Sequence, residues 1–203
     1  TTTDTYATVA GKTKLVRTDR ANISHCPNHA SQTFYDANGF VDYTLDFNGN
    51  RTEYTYGATG LLEDFTTGIN AAFPGKQRYT DYIWDPARNR LAGVKVYGAS
   101  TADPLSETVY EYYGPSDPAP NRLKSVSRYN RSSHGVPGQM RKTSYTYTVH
   151  PNGMIATQVE DGPRTDVADT TTYQYDSAGN LLSVTNALGH VTAFSGHNGL
   201  GLP

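Results

Sequence analysis

The sequence predicts an all-β protein built from antiparallel β-hairpin repeats that form a curled sheet. Tyrosine is unusually frequent, at 16 of 203 residues, and both tyrosine and threonine favour β-strands. Aromatic residues recur as doublets with one residue between them, and this spacing places both rings on one face of a strand. A turn signal follows almost every doublet, as expected for successive hairpins.

The composition excludes several classes of protein. Only 36% of residues are hydrophobic, but only 18% are charged and the net charge is −2. Disordered chains are usually richer in charge and poorer in aromatic residues, so disorder is not expected. No apolar run approaches the roughly 20 residues of a membrane span. The near-neutral charge offers no field for nucleic acid, and the lone cysteine, Cys26, excludes an internal disulfide.

The first part of the chain is less regular than the rest. Residues 1–32 are predicted to be an irregular N-terminal segment, with strand over 12–19 and loop over 22–31. Residues 33–203 are predicted to hold about six hairpin repeats in one continuous series. The last repeat is expected to be truncated at the C-terminal end, because 197–203 begins a unit without its partner strand.

The doublets mark the first strand of each repeat. Their second members lie 21 to 35 residues apart, which indicates a unit near 21 residues with insertions of varied length. A weaker member is Thr33-Phe34-Tyr35, and a degenerate one is Ser195-Gly196-His197. The five full doublets are Tyr54 with Tyr56, Tyr82 with Trp84, Tyr110 with Tyr112, Tyr145 with Tyr147, and Tyr173 with Tyr175.

The turn that follows each doublet has its own chemistry, and an aliphatic residue then begins the second strand. Aspartate accepts hydrogen bonds from its own backbone two residues on, and glycine adopts the positive φ that closes a hairpin. Longer second connections, at 67–76, 98–106, 129–139 and 160–169, are predicted to be solvent-side loops. The further repeat positions are Asp36, Gly39, Gly60, Asp85, Gly153, Asp176, Gly179, Leu181 and Gly189.

One copy of the repeat carries a specific pattern. The run Tyr175-Asp176-x-x-Gly179-Asn180-Leu181-x-x-Val184-Thr185-x-x-x-Gly189 resembles the RHS/YD-repeat family, and Tyr35-Asp36-x-x-Gly39 resembles a second copy. The copies at Gly57, Tyr113 and Thr148 have lost the aspartate. The resemblance covers residues from about 33 to 203.

The resemblance implies hairpins that wind into a hollow shell, as in bacterial polymorphic toxins, the C component of insecticidal toxin complexes, and teneurins. The chain is then expected to be a structural segment of a larger secreted or bacterial cell-surface protein. Its partners would be flanking repeats, or an identical chain at open sheet edges, and an enclosed C-terminal toxin or cargo. The family's self-cleaving motif Asp-Pro-x-Gly is not matched, because Asp85-Pro86-Ala87-Arg88 lacks the glycine.

Other chemistry is weakly supported by the sequence. His25, Cys26 and His29 are too few for a structural zinc site, so no metal, cofactor or enzymatic activity is expected. The run from Asp46 to Asn50 imitates a calcium loop but is interpreted as a hairpin turn. An alternative function is a carbohydrate-binding or adhesin-like module, with glycans stacked on exposed tyrosines. Tyr113 and Tyr129, outside the doublets, are the ligand candidates for that alternative.

Overall fold

The structure is a computed structural model that describes residues 2–20 and 30–201. These residues form antiparallel strands and turns, which confirms the predicted all-β fold. None of them forms a helix, so the described ranges contain no helix able to cross a membrane. The predicted cluster of His25, Cys26 and His29, with most of the loop expected over 22–31, lies outside the described residues.

The contacts between Cα atoms divide the chain into two compact units, one ending at Glu107 and the other beginning at Thr108. In unit 1 the strands pair antiparallel with their neighbours in chain order. Its strands are β1 (Thr2–Val9), β2 (Lys12–Arg20), β3 (Ala30–Tyr35), β4 (Val41–Leu45), β5 (Arg51–Tyr56), β6 (Leu62–Ile69), β7 (Arg78–Asp85) and β8 (Arg90–Tyr97).

Strand β9 (Pro104–Tyr112) crosses the division between the units. The remaining strands of unit 2 also pair antiparallel in chain order. They are β10 (Leu123–Asn130), β11 (Met140–Val149), β12 (Ile155–Asp161), β13 (Thr170–Tyr175), β14 (Leu181–Thr185) and β15 (Val191–Ala193).

The N-terminal segment contains a complete hairpin, which the sequence indicated only in part. Strands β1 and β2 pair through the register Val9↔Lys12, and the two residues between them have φ of 48° at Ala10 and 75° at Gly11. Positive φ at both central positions is the geometry of a tight two-residue hairpin turn. Strand β1 carries no aromatic doublet, so the feature that marks the later hairpins is missing there.

The sheet has little hydrophobic core. Among the described residues, the buried hydrophobic side chains are Tyr97 in unit 1 and Ala119 and Val126 in unit 2. Buried polar side chains accompany them, including Thr80 and Ser125. Most of the cohesion must therefore come from the strand ladders and from packing of half-buried side chains between neighbouring strands.

The aromatic face is the better covered face of the sheet in each unit. In all five full doublets both aromatic side chains are half-buried, whereas the residue between them is exposed. The exposed residues are Thr55, Ile83, Glu111, Thr146 and Gln174. The doublets therefore pack against the sheet and its side chains, and the intervening residue faces solvent.

Candidate functional site

The candidate site is the repeated hairpin itself, and its turn has one recurring geometry. Six turns in the described ranges share two main-chain hydrogen bonds of 2.8–3.0 Å. The N–H of the first turn residue donates to the carbonyl four residues on, and the N–H of a glycine three residues on donates back to the first carbonyl. These glycines have φ between 76° and 91°, which L side chains rarely adopt. The first residues are Asp36, Asp46, Gly57, His150, Asp176 and Asn186.

An aspartate or asparagine at the first turn position adds side-chain bonds. The Oδ1 of Asp176 accepts from the N–H groups of Ala178 and Asn180, both at 2.9 Å. Its Oδ2 accepts from the Asn180 side chain at 2.8 Å, and this bond, followed by the backbone bonds, holds the pKa of Asp176 below its usual range. Asn186 accepts the same two backbone bonds through its Oδ1, at 3.0 Å each.

The run that imitates a calcium loop is one of these turns. The Oδ1 of Asp46 accepts from the backbone N–H groups of Asn48 and Asn50, both at 2.8 Å. Burial raises the pKa of Asp46, but the hydrogen bonds from Asn50, Asn48 and Gly49 outweigh it, so the net pKa is lowered. The carboxylate is thus engaged by its own turn.

The turn at Asp85 is closed by a residue with positive φ that is not a glycine. Asn89 has φ of 49°, and its N–H donates to the Asp85 carbonyl at 2.8 Å. Asparagine tolerates this left-handed conformation better than most residues. The Asp85 carboxylate accepts from the Ala87 N–H at 3.0 Å and contacts the Arg90 guanidinium at 3.1 Å. The Ala87 bond matches the one that the other aspartate turns make two residues on, and the Arg90 contact is additional to it.

Four of these hairpins have a shift in strand register within the last three residues of the first strand, whereas the hairpins at Asp46 and Asn186 have none. It places the second aromatic opposite the aliphatic residue that follows the turn: Tyr35↔Val41, Tyr56↔Leu62, Trp84↔Leu91 and Tyr175↔Leu181. Such a bulge increases the local twist and re-aims the side chains that follow it. The aromatic and the aliphatic side chain thus meet at the same point of each hairpin.

In strand β11 the same geometry falls two residues later than the sequence indicated. The register shift lies between Thr148 and Val149, and Val149 pairs with Ile155. The turn begins at His150, so the placement of a repeat copy at Thr148 was wrong. Tyr147 therefore occupies the first aromatic position and Val149 the second. The doublet was misleading here because it lies two residues further from the turn than the doublets of the other hairpins do.

Ring tips tie one hairpin to the strand of the hairpin before it. The Tyr35 hydroxyl donates to the Leu15 carbonyl at 2.9 Å, and the Trp84 indole N–H donates to the Leu62 carbonyl at 2.8 Å. In unit 2, His197 Nε2 lies 2.9 Å from the Leu181 carbonyl oxygen. Each tie satisfies a main-chain acceptor in the first half of a strand, and so links neighbouring hairpins.

The degenerate doublet near residue 195 is differently placed than the sequence indicated. Phe194 is half-buried and its N–H donates to the Leu182 carbonyl at 2.9 Å, whereas Ser195 is exposed. Gly196, with φ of 73°, accommodates one additional residue before His197. The aromatic partner of His197 is thus Phe194, three residues earlier and not two.

Aromatic rings follow the repeat across neighbouring strands of unit 1. The ring centroids of Tyr54 and Phe65 are 6.3 Å apart, and those of Phe65 and Tyr82 are 6.1 Å apart. Phe40 stacks on Tyr56 at 4.9 Å and lies 3.0 Å from the position that a Cβ on Gly60 would occupy. Gly60 is therefore needed both for its φ of 76° and for this close approach.

Burial also sets the ionisation of several tyrosines of the doublets. Desolvation, with smaller effects of neighbouring tyrosines and carboxylates, raises the pKa of Tyr56, Tyr145, Tyr147 and Tyr175 above the ordinary value. Their hydroxyls therefore stay neutral around neutral pH. This behaviour fits side chains that pack within a sheet.

The two tyrosines considered for glycans are engaged within unit 2. The Tyr113 hydroxyl donates to the Tyr145 carbonyl at 2.8 Å, and its ring meets the Tyr147 ring edge-on at 6.0 Å. The Arg131 guanidinium carbon lies 4.5 Å from the centre of the Tyr129 ring. Both side chains are half-buried, so these contacts favour internal packing over sugar stacking.

The described ranges 2–20 and 30–201 bring together no cluster of metal-ligating side chains. They contain no group of three or more histidine, cysteine, aspartate or glutamate side chains placed to hold a metal ion. A cleft in unit 1, beside the turns at 57–60 and 85–89, is lined by Leu61, Glu63, Asp64, Asp81 and Ile83 among others. Among the described residues, its lining includes the carboxylates of Glu63, Asp64 and Asp81, and no histidine, lysine or arginine.

The geometry defines a class of protein, a tandem array of antiparallel hairpins with a recurring turn that a bulge often precedes. Residues 157–191, which span β12 to the start of β15, match the family model described as RHS Repeat. The chain thus carries an RHS repeat, and its resemblance to the RHS/YD-repeat family is confirmed. No curated protein matches the chain.

Three solved structures of toxin-complex proteins also match part of the chain. The crystal structure of TcdB2-TccC3-Cdc42 is 18% identical with a TM-score of 0.45, over 83% of this chain and 10% of that one. TcdB2-TccC3 without its hypervariable C-terminal region is 19% identical with a TM-score of 0.45, over the same shares. TcdB2-TccC3 is 18% identical with a TM-score of 0.43, over 81% and 10%. The chain therefore spans about a tenth of the length of these chains.

Proposed function

We propose that the chain is a structural, non-catalytic segment of an RHS/YD-repeat shell. The shell would enclose a cargo or toxin polypeptide within a larger secreted or bacterial cell-surface protein. The observation that carries this proposal is the constant hairpin, with the same turn bonds and the same bulge in unit 1 and unit 2. The RHS repeat at residues 157–191 supports it.

A hairpin array can act as a wall because its strands are joined by main-chain hydrogen bonds. Neighbouring strands lie about 4.8 Å apart, which leaves no passage for a polypeptide or a protease between them. A wall also needs little thick apolar core, in agreement with the few buried hydrophobic residues of each unit. Its cohesion would come from ladder bonds and contacts between successive hairpins.

The proposed partners at the ends of the array are flanking repeats of the same longer chain, or an identical chain. In unit 1, seven of the eight residues of β1 are exposed, and all three residues of β15 in unit 2 are exposed. A strand edge with unpaired N–H and C=O groups readily accepts another strand. Such pairing would continue the wall and cover the edge.

Protease protection tests enclosure in the full-length protein that contains this segment. The cargo should resist trypsin in the wild type and in an Asp103→Asn control, which changes an exposed connection. Leu181→Asp, which places a charge opposite Tyr175, should open the wall and expose the cargo to cleavage. Equal cleavage of the cargo in wild type and Leu181→Asp would contradict the proposal.

A further inference from the structure

The chain contains one long stretch without acidic residues. Residues 118–159 include no aspartate or glutamate, although the whole chain has a net charge of −2. The stretch covers strands β10 and β11 and the connections on either side. Its six basic residues are Arg122, Lys124, Arg128, Arg131, Arg141 and Lys142.

Two of these arginines face each other directly. Arg128 on β10 pairs with Arg141 on β11, and both side chains are exposed. Like charges directly opposite on neighbouring strands repel and destabilise the pair. Within the described ranges, neither guanidinium forms an ion pair with an acidic side chain. The repulsion is therefore not relieved by the part of the chain that the structure describes.

The arginine pair lies on the aromatic face of the hairpin. Arg141 is four residues before Tyr145 on β11, with no register shift between them, so both side chains share one face. Lys124 is four residues before Arg128 on β10 and shares that face, with its Nζ 5.7 Å from the centre of the Tyr113 ring. Across the sheet, Glu160 on β12 is paired with Tyr145 on β11.

The opposite face of the hairpin is different, because its charge is compensated. Lys142 lies one residue after Arg141 and contacts the Glu111 carboxylate at 3.3 Å. Glu111 also accepts from the Ser125 hydroxyl at 2.6 Å, and these bonds lower its pKa. The two opposed arginines thus leave positive charge without an ion-pair partner among the described residues on the aromatic face.

We propose that the aromatic face of the β10–β11 hairpin docks an acidic, extended polypeptide segment. Guanidinium groups bind carboxylates through paired, planar hydrogen bonds, which an opposed arginine pair can offer to one or two acidic side chains. Lys124 lies about 13 Å from Arg128 along the strand, so an extended segment with acidic residues at alternate positions can reach both. The partner's being a polypeptide rests on the proposed enclosure, whereas its acidic character rests on the charges.

Fluorescence anisotropy with labelled peptides tests this docking. The probes are a peptide of about ten residues that alternates glutamate and serine, a lysine–serine counterpart, and single-stranded DNA of similar length, at about 50 mM and 200 mM salt. The wild-type chain should bind the glutamate peptide and not the lysine peptide. The Arg128→Gln/Arg141→Gln variant should bind the glutamate peptide roughly tenfold more weakly.

The matched control is Lys76→Gln/Arg78→Gln, which removes the same charge from exposed positions of unit 1. Its affinity should stay within about twofold of wild type. An equal loss of affinity for the glutamate peptide in both variants would show that binding depends only on net charge, and would contradict the proposal. Tighter binding of DNA than of the glutamate peptide would indicate a nucleic-acid surface instead. Absence of wild-type binding would also overturn the proposal.

Thermal melts of the same variants separate docking from a structural role. Removal of two opposed positive charges should leave the melting temperature of Arg128→Gln/Arg141→Gln unchanged or raise it. A clear decrease would show that the arginines stabilise the fold, and would contradict docking. Peptide binding by this chain and cargo protection in the full-length protein are independent measurements, so either proposal can fail alone.

Discussion

The first residue of the turn shows how main chain and side chain share one task. Aspartate, asparagine, glycine and histidine all occupy this position, and the two main-chain hydrogen bonds are the same in each case. Only aspartate and asparagine add the bonds to the N–H groups two and four residues on. The side chain therefore stabilises a turn that the backbone already forms.

The lowered pKa of Asp176 predicts a specific response to acid. A carboxylate whose pKa is lower in the folded state stabilises the fold above its unfolded pKa of about 3.9, and this contribution is lost as pH falls through the folded pKa. In Asp176→Asn the side chain keeps its acceptor but does not titrate, as at Asn186. Thermal melts from about pH 5 to pH 2 should show a smaller fall in melting temperature for the variant than for wild type.

Asp103→Asn is the control for the loss of one negative charge, since Asp103 is exposed in a connection outside the turns. Its melting temperature should fall with acid as in the wild type. A variant Asp176→Asn that loses stability in parallel with wild type over this pH range would show that the turn carboxylate contributes no pH dependence.

The surroundings of Tyr113 and Tyr129 could not be predicted from the sequence. The sequence shows that Tyr113 and Tyr129 stand outside the doublets, but it does not show what covers them. The bond from Tyr113 to the Tyr145 carbonyl joins residues 32 apart, and a contact at that distance depends on the pairing of several strands. The spacing of residues along the sequence does not predict such a contact.

At the scale of the hairpin, the turns were predictable and the register was not. The turn bonds join residues three or four apart, so the turn at Asp176 is readable from its own few residues. The bulge depends on the opposite strand: in β11 only the pairing of Val149 with Ile155 shows that the hairpin ends two residues later than the doublet suggests. Strand β1 was missed because it lacks a doublet altogether.

The ring-tip ties between hairpins predict a difference between two chemically identical substitutions. Tyr35→Phe removes the donor to the Leu15 carbonyl, which should lower the free energy of unfolding by about 0.5–1.5 kcal/mol. Tyr54 occupies the first aromatic position, where its ring packs against Phe65. Tyr54→Phe keeps that packing and should change stability by less than about 0.5 kcal/mol.

Urea denaturation of the two variants provides the measurement, with the slope of the transition used to confirm that the unfolded states are comparable. If both variants lose the same free energy of unfolding, the hydroxyl of Tyr35 has no special part in joining hairpins. If neither loses any, the tie is compensated by water.

At the scale of the whole chain, cohesion within each unit is local. Each strand packs against the strands before and after it in the chain, and a contact such as that of Lys142 on β11 with Glu111 on β9 skips one strand. Arrays of this kind behave as a row of units coupled to their nearest neighbours. A destabilising substitution in one hairpin is therefore expected to disrupt mainly the neighbouring hairpins.

Hydrogen–deuterium exchange of Leu181→Asp measures that range. Leu181 pairs with Tyr175, and its carbonyl accepts the bond from His197, so the variant should unprotect amides in β13, β14 and β15. Amides of β3 to β8 in unit 1 should keep their wild-type protection. Uniform loss of protection along the chain would instead indicate one cooperative structure.

The constant turn extends beyond the residues that match the family model. Residues 157–191 contain both an aspartate turn at Asp176 and an asparagine turn at Asn186, each with its glycine. Elsewhere Gly57 and His150 begin turns of the same geometry without the family's aspartate. Because the backbone alone can form the turn, the side-chain signature can drift while the hairpin persists.

The bulge before the turns at Asp36, Gly57, Asp85, His150 and Asp176 has a consequence for how such a chain can change over generations. Since each bulged hairpin sets its own strand register near the turn, a residue gained or lost in a connection between such hairpins does not shift the register of the strands downstream. Duplication of a whole hairpin would likewise leave the strand register of its neighbours unchanged. An array built in this way can grow or shrink by genetic accident without rewriting the rest of its length.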